Sequence, residues 1–143
     1  MQAQGKQVDI LVNDAGFGEH GLFPESDINR NSAVIHTNIV ALVELTYLFG
    51  SDMKQRGEGR ILQLGSTAAY TPSPRMAVYS ATKSFVLSFS EALANELLDS
   101  GVIVTTSAPT LLTPTFLSRP APGTPSCTTW PTPKMWPRTS TKP

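Results

Sequence analysis

The sequence predicts an α/β fold: a partial doubly wound parallel sheet of about three strands and two long helices, with an irregular Pro/Thr-rich tail. Three observations carry this. First, Val8–Val12, Arg60–Leu64 and Val102–Thr106 are short apolar runs of the kind that form buried parallel strands. Second, the stretches after Ser26 and from Val78 to Leu98 have helical spacing and no internal proline. Third, strand, helix, strand, helix, strand is the alternation that builds βαβ units.

Met1–Gln7 is polar and serves as a lead-in. Val8–Val12 reads as a strand buried on both faces, and Asn13–Gly21 as a Gly-rich loop at its carboxyl end. Open α/β sheets bind ligands at such ends. Ser26 or Asp27 caps the first long helix. Ile35, Ile39, Leu42, Thr46, Phe49 and Met53 give it one apolar face, and Gly57 and Gly59 stop it. The second long helix spans Val78–Leu98 and has two apolar stripes: Phe85, Phe89 and Ala92, then Val86, Leu93 and Leu97. A helix apolar on two sides is expected to be buried on two sides. Three strands and two helices leave one face or edge of a parallel sheet open.

The chain divides in two by composition. Residues 1–107 form the α/β unit and 108–143 the tail. All eleven acidic residues lie at or before Asp99, whereas nine of the twelve prolines lie at or after Ser107. Proline this dense forbids helix and central strand alike. The tail reads either as the product of a shifted reading frame or as a genuine Pro/Thr-rich extension. Net formal charge is zero, which gives no sign of nucleic acid as partner. Cys127 is the single cysteine, so an intrachain disulfide is excluded and a reducing cytoplasm suits the chain. By sequence alone, no stretch reaches the length of a membrane span. His20 and His36 stand apart from any partner at a metal-ligand spacing, so no metal site is expected.

Three polar residues then stand out: Ser66 just past the second strand, and Tyr79 and Lys83 early in the second long helix. Four apart on a helix, Tyr79 and Lys83 share one face. A free phenol is a weak base at neutral pH, and a nearby ammonium favours its ionised form. A serine hydroxyl beside them can hold a substrate oxygen while the phenol passes a proton. Tyr-x-x-x-Lys alone is also common on ordinary amphipathic helices, where the lysine snorkels into water.

The wider pattern resembles the short-chain dehydrogenase/reductase family. Ser66, thirteen residues before Tyr79, and Lys83 match that family's Ser…Tyr-x-x-x-Lys signature. Asn13-Asp14-Ala15-Gly16 is similar to its Asn-Asn-Ala-Gly strand end, with Asp14 in place of the second Asn. Asn38 falls where the family places a fourth catalytic residue. The resemblance covers about Val8 to Ala108. It implies a partial Rossmann-like domain and an oxidoreductase using NAD or NADP on a small carbonyl or alcohol substrate. Tyr79 would be the general acid/base, and Ser66 would position the reacting oxygen. Lys83 would bind the nicotinamide ribose and favour the Tyr79 phenolate, and Asn38 would hold a relay water. Asn13, Ala15, Gly16, Tyr79, Lys83 and Pro109 would line the cofactor, and the Val78–Leu98 helix would join a second subunit. Two features depart from the family. Its T-G-x-x-x-G-x-G fingerprint is absent from the sequence, and Pro109 is followed by Thr110-Leu111-Leu112 rather than Gly-Pro. Two other readings therefore stand beside the enzyme: an inactive gene fragment, or an interaction piece docking through the second long helix.

Overall fold

The computed structural model describes residues 7–108. The tail and Pro109 lie outside the described residues. Three strands, β1 (Ile10–Asn13), β2 (Gly59–Leu64) and β3 (Val102–Ser107), form a parallel sheet in the order β1-β2-β3. Leu11 faces Ile61, which faces Val104, so the apolar centres of the three strands share one row. Each crossover carries helix, as parallel neighbours require. Between β1 and β2 lie α1 (Ile28–Ile35), a π-helical turn (His36–Ala41) and α2 (Leu42–Arg56). Between β2 and β3 lies α3 (Ala77–Glu96).

Local chemistry sets the ends of these elements. The Asp27 side chain accepts from the backbone N–H of Asn29, capping α1. Gly57 closes α2 at φ 75°, the left-handed conformation that a glycine adopts at least cost. Arg56 ties that end to the start of the sheet, donating to the Val8 carbonyl at 2.7 Å and to the carboxylates of Asp9 and Asp52. The hydrogen bond from Gln7, helped by Arg56, holds the Asp9 carboxyl below its usual range.

The core lies on one side of the sheet. Leu11, Met53, Ile61, Leu97 and Val102 are buried together there, with Phe49, Leu93 and Val104 packed against them. Gly59 leaves the room that Met53 occupies, since a Cβ at that position would overlap its side chain. The opposite face of the sheet is open, with Ile10 52% and Val12 50% exposed. The open face agrees with the expectation that three strands and two helices leave one side of the sheet uncovered, and it corrects the reading of the first strand as fully buried. Its alternation, exposed-buried-exposed-buried, is that of a half-covered strand.

The helices also differ from the sequence reading. Asn31, Val34, Asn38, Leu42, Thr46, Gly50 and Met53 turn inward, whereas Ile35 is 42% exposed. The wider π turn carries the four-residue step from Val34 through Asn38 to Leu42 on one side, so polar residues enter the buried row. Val86 on α3 and Leu97 just past its end are buried, but Phe85 is 38% exposed and stacks on Phe89 at 5.7 Å. Only one of the two apolar stripes is covered. The continuous helix from Ile28 to Arg56 runs 29 residues with a mean hydropathy of 1.5 in its most apolar window. Length and composition would let it cross a bilayer, which corrects the reading that no stretch is long enough. In the fold its inward row packs on α3, β1 and β2.

Candidate active site

The site forms where the carboxyl ends of β1 and β2 meet the first turns of α3. Lys83 is almost fully buried and its Nζ donates to the Leu64 carbonyl at 2.8 Å, fixing α3 to the end of β2. The same Nζ lies 5.9 Å from the centre of the Tyr79 ring. Burial lowers the Lys83 pKa from the ordinary lysine value, and the Asp14 carboxylate opposes that shift. Ser66 lies two residues past β2, after Gly65. Its hydroxyl accepts from the Ala68 N–H at 3.2 Å, starting a short 3-10 helix over Thr67–Ala69.

The loop after β1 closes over Tyr79 and Lys83. The Gly18 backbone lies against the Tyr79 ring: a Cβ there would sit 2.9 Å from ring atom Cδ2. Gly16 lies near two other predicted residues, since a Cβ would lie 3.1 Å from Asn38 Oδ1 and 3.5 Å from Lys83 Nζ. The absent side chain at Gly16 leaves an approach to the lysine ammonium, which has three donors and, among the described residues, one hydrogen-bond acceptor, the Leu64 carbonyl. A ribose hydroxyl suits such a donor set, so the residues present fit a nicotinamide cofactor at this point.

Asn38 holds the loop in place. Its Nδ2 donates to the Phe17 carbonyl at 2.9 Å and to Thr82 Oγ1 at 3.0 Å, and its Oδ1 accepts from the Phe17 N–H at 3.1 Å. Thr82 Oγ1 in turn donates to the Tyr79 carbonyl at 2.7 Å. Both amide hydrogens of Asn38 are thus committed to protein. Asn13 is not brought to this group. Its side chain is buried under the sheet, donating to Thr46 Oγ1 and Gln63 Oε1, both at 2.9 Å. Asp14 and Ala15 are exposed on the loop. Sequence reasoning missed two members: Thr82, legible only as a hydroxyl one turn from Tyr79, and Gly18, whose contact with the ring depends on the loop's path.

Comparison with known proteins places the fold in a family. The family model described as short chain dehydrogenase matches residues 1–123. The 17-beta-hydroxysteroid dehydrogenase type 3 of Mus musculus is 38% identical over 122 residues, covering 82% of this chain and 37% of that protein. Ketoacyl reductase HetN of a Nostoc species is 32% identical over 102 residues, 71% of this chain and 36% of that protein. The chain thus spans less than half the length of these curated relatives. Among solved structures, a bulky-bulky ketone specific alcohol dehydrogenase from Comamonas testosteroni superposes with a TM-score of 0.70 at 30% identity, covering 73% of this chain and 42% of that one. A putative NAD(P) dependent gluconate 5-dehydrogenase from Beutenbergia cavernae, solved with bound NADP, gives 0.69 at 33% identity with the same coverage. With the parallel sheet and the Tyr79–Lys83 face already in view, these likenesses establish that the chain belongs to the short-chain dehydrogenase family.

Proposed function

We propose that the chain carries the catalytic part of an NAD(P)-dependent oxidoreductase acting on a small carbonyl or alcohol substrate. The observation that carries this reading is the buried Lys83 ammonium, pinned to Leu64 and left approachable by Gly16 beside the Tyr79 ring. Bound nicotinamide supplies or accepts the hydride. Tyr79 gives a proton to the substrate oxygen during reduction and takes it back during oxidation. Ser66 holds that oxygen, and Lys83 binds the ribose through its free donors. Asn38 keeps the loop closed over Lys83, so a relay water here would not be held by its amide hydrogens. Ala15, Gly16 and, in the tail, Pro109 line the cofactor, and Asn13 contributes by anchoring β1 below it. Whether the nicotinamide is NAD or NADP follows from residues outside these contacts.

The same reading divides the chain into the unit of residues 1–107 and a separate tail of 108–143. A cytoplasmic location is part of the proposal, on the single Cys127, with the Ile28–Arg56 helix as a core element. The outer stripe of α3, with the stacked Phe85 and Phe89, would join a second copy. The test is carbonyl-dependent oxidation of NADH and NADPH. Tyr79→Phe should cut turnover about 100-fold or more while the melting transition stays in place. Retained turnover in that variant would remove Tyr79 from its role.

A further inference from the structure

The loop over Tyr79 is fastened at two points. Asn38 holds it at Phe17. Further along, the Gly21 N–H donates to the Arg75 carbonyl at 2.8 Å. Gly18, whose backbone lies against the Tyr79 ring, sits between these fastenings. Arg75 is itself four residues before Tyr79. Segments 18–21 and 75–79 are therefore joined twice, by the hydrogen bond at one end and by the ring contact at the other.

The backbone at Arg75 is unusual. The Met76 N–H donates to the Ser73 carbonyl at 3.0 Å, closing a four-residue turn with Pro74 second and Arg75 third. Arg75 has φ 67° and is the only non-glycine residue with positive φ among the described residues. Proline second and a positive φ third make a type II turn, whose third place ordinarily belongs to glycine or asparagine. An arginine there is strained, because its Cβ crowds the backbone in the left-handed region. Such residues persist where their surroundings over-determine them, and they gather at functional sites. The side chain does not account for the strain. It is exposed, and its guanidinium makes no hydrogen bond or ion pair among the described residues. Glu19, which borders the same gap, pairs with Arg30 at 2.9 Å instead. What the turn supplies is direction, since it sets the Arg75 carbonyl against the Gly21 N–H.

We propose that Arg75 is a positioning residue: its left-handed backbone aims its carbonyl at Gly21, and that bond keeps the loop seated on the Tyr79 ring. The requirement is for the backbone conformation, not for the guanidinium. The proton-transfer role of Tyr79 rests on the dehydrogenase reading, whereas the fastening does not.

Substitutions that separate backbone from side chain test this. Arg75→Gly takes the same φ without strain. Arg75→Pro cannot, because its ring locks φ at about −65°. Arg75→Val, β-branched and disfavoured at positive φ, repeats the test should the proline variant not fold. In the 15N-labelled full chain, the Gly21 amide should exchange slowly in wild type and Arg75→Gly, and about 10-fold faster in Arg75→Pro. The Gly18 amide resonance, displaced by the adjacent ring, should move towards its unstructured position in Arg75→Pro alone. In carbonyl-dependent oxidation of NADH or NADPH, Arg75→Pro should lower kcat about 10-fold with the melting midpoint in place. The KM for the nicotinamide should hold, because Gly16 beside Lys83 lies at the end fastened by Asn38. Arg75→Gly should match wild type. Unchanged Gly21 exchange and Gly18 resonance in Arg75→Pro would overturn the proposal, as would full kcat once the Gly21 bond is lost. So would an Arg75→Gly chain that behaves like Arg75→Pro, since the guanidinium would then be the active part. A wild type without turnover would count against the dehydrogenase reading, and the two amide readouts would still decide the fastening.

Discussion

Replacing Asn38 with alanine tests how the loop over the site is held. The side chain makes three hydrogen bonds, two to the backbone of Phe17 and one to Thr82. A neutral hydrogen bond contributes about 0.5–1.5 kcal/mol net. The two ends at Phe17 are reached by water once the amide is gone, because Phe17 is 39% exposed, so each counts at the low end of that range. The bond to Thr82 counts at the high end, since Asn38 and Thr82 are each 1% exposed and water does not replace it. The expected loss is about 2–3 kcal/mol, a large share of the stability of any domain. Urea unfolding followed by circular dichroism measures it. Thr82→Val and the double variant complete the cycle, with an expected coupling of about 1 kcal/mol. A loss under about 0.5 kcal/mol, or strict additivity of the two substitutions, would refute the claim that Asn38 clamps the loop to α3.

Other outcomes follow from the same contacts. Gly18→Ala places a Cβ within 3.2 Å of three Tyr79 atoms, so turnover should fall while the unfolding midpoint shifts little; full activity would show that the loop yields freely. Lys83 is buried with a lowered pKa, so between its folded and unfolded values the unfolded chain binds more protons and stability rises with pH. Wild type should therefore gain stability relative to Lys83→Met as pH climbs towards the ordinary lysine value, and a parallel pair of pH profiles would contradict this. Met53→Ala removes a side chain with no exposure at the centre of the core and should cost about 2–5 kcal/mol in urea unfolding. The open face bearing Ile10 and Val12 should bind a hydrophobic dye in the native state, and a chain that stays dark before unfolding would mean the face is covered.

The sequence by itself determined the three strands, the two long helices and the shared face of Tyr79 and Lys83, because each rests on short-range rules. Strand runs show as apolar blocks, Asp27 caps within two residues, and a four-residue step fixes Tyr79 and Lys83 on one face. Tertiary structure alone decided which side of each element is used. Ile35 and Phe85 have the right spacing for burial, yet the layer that would cover them is absent from the described residues, and Asn31 and Asn38 take the inner row instead. The direction of Asn13 into the Thr46–Gln63 group, the closure of Gly18 on the Tyr79 ring and the bond from Gly21 to Arg75 were equally invisible. Each depends on groups 17 to 61 positions apart, and a pattern read along one chain carries no information about which distant atoms will complete a hydrogen bond.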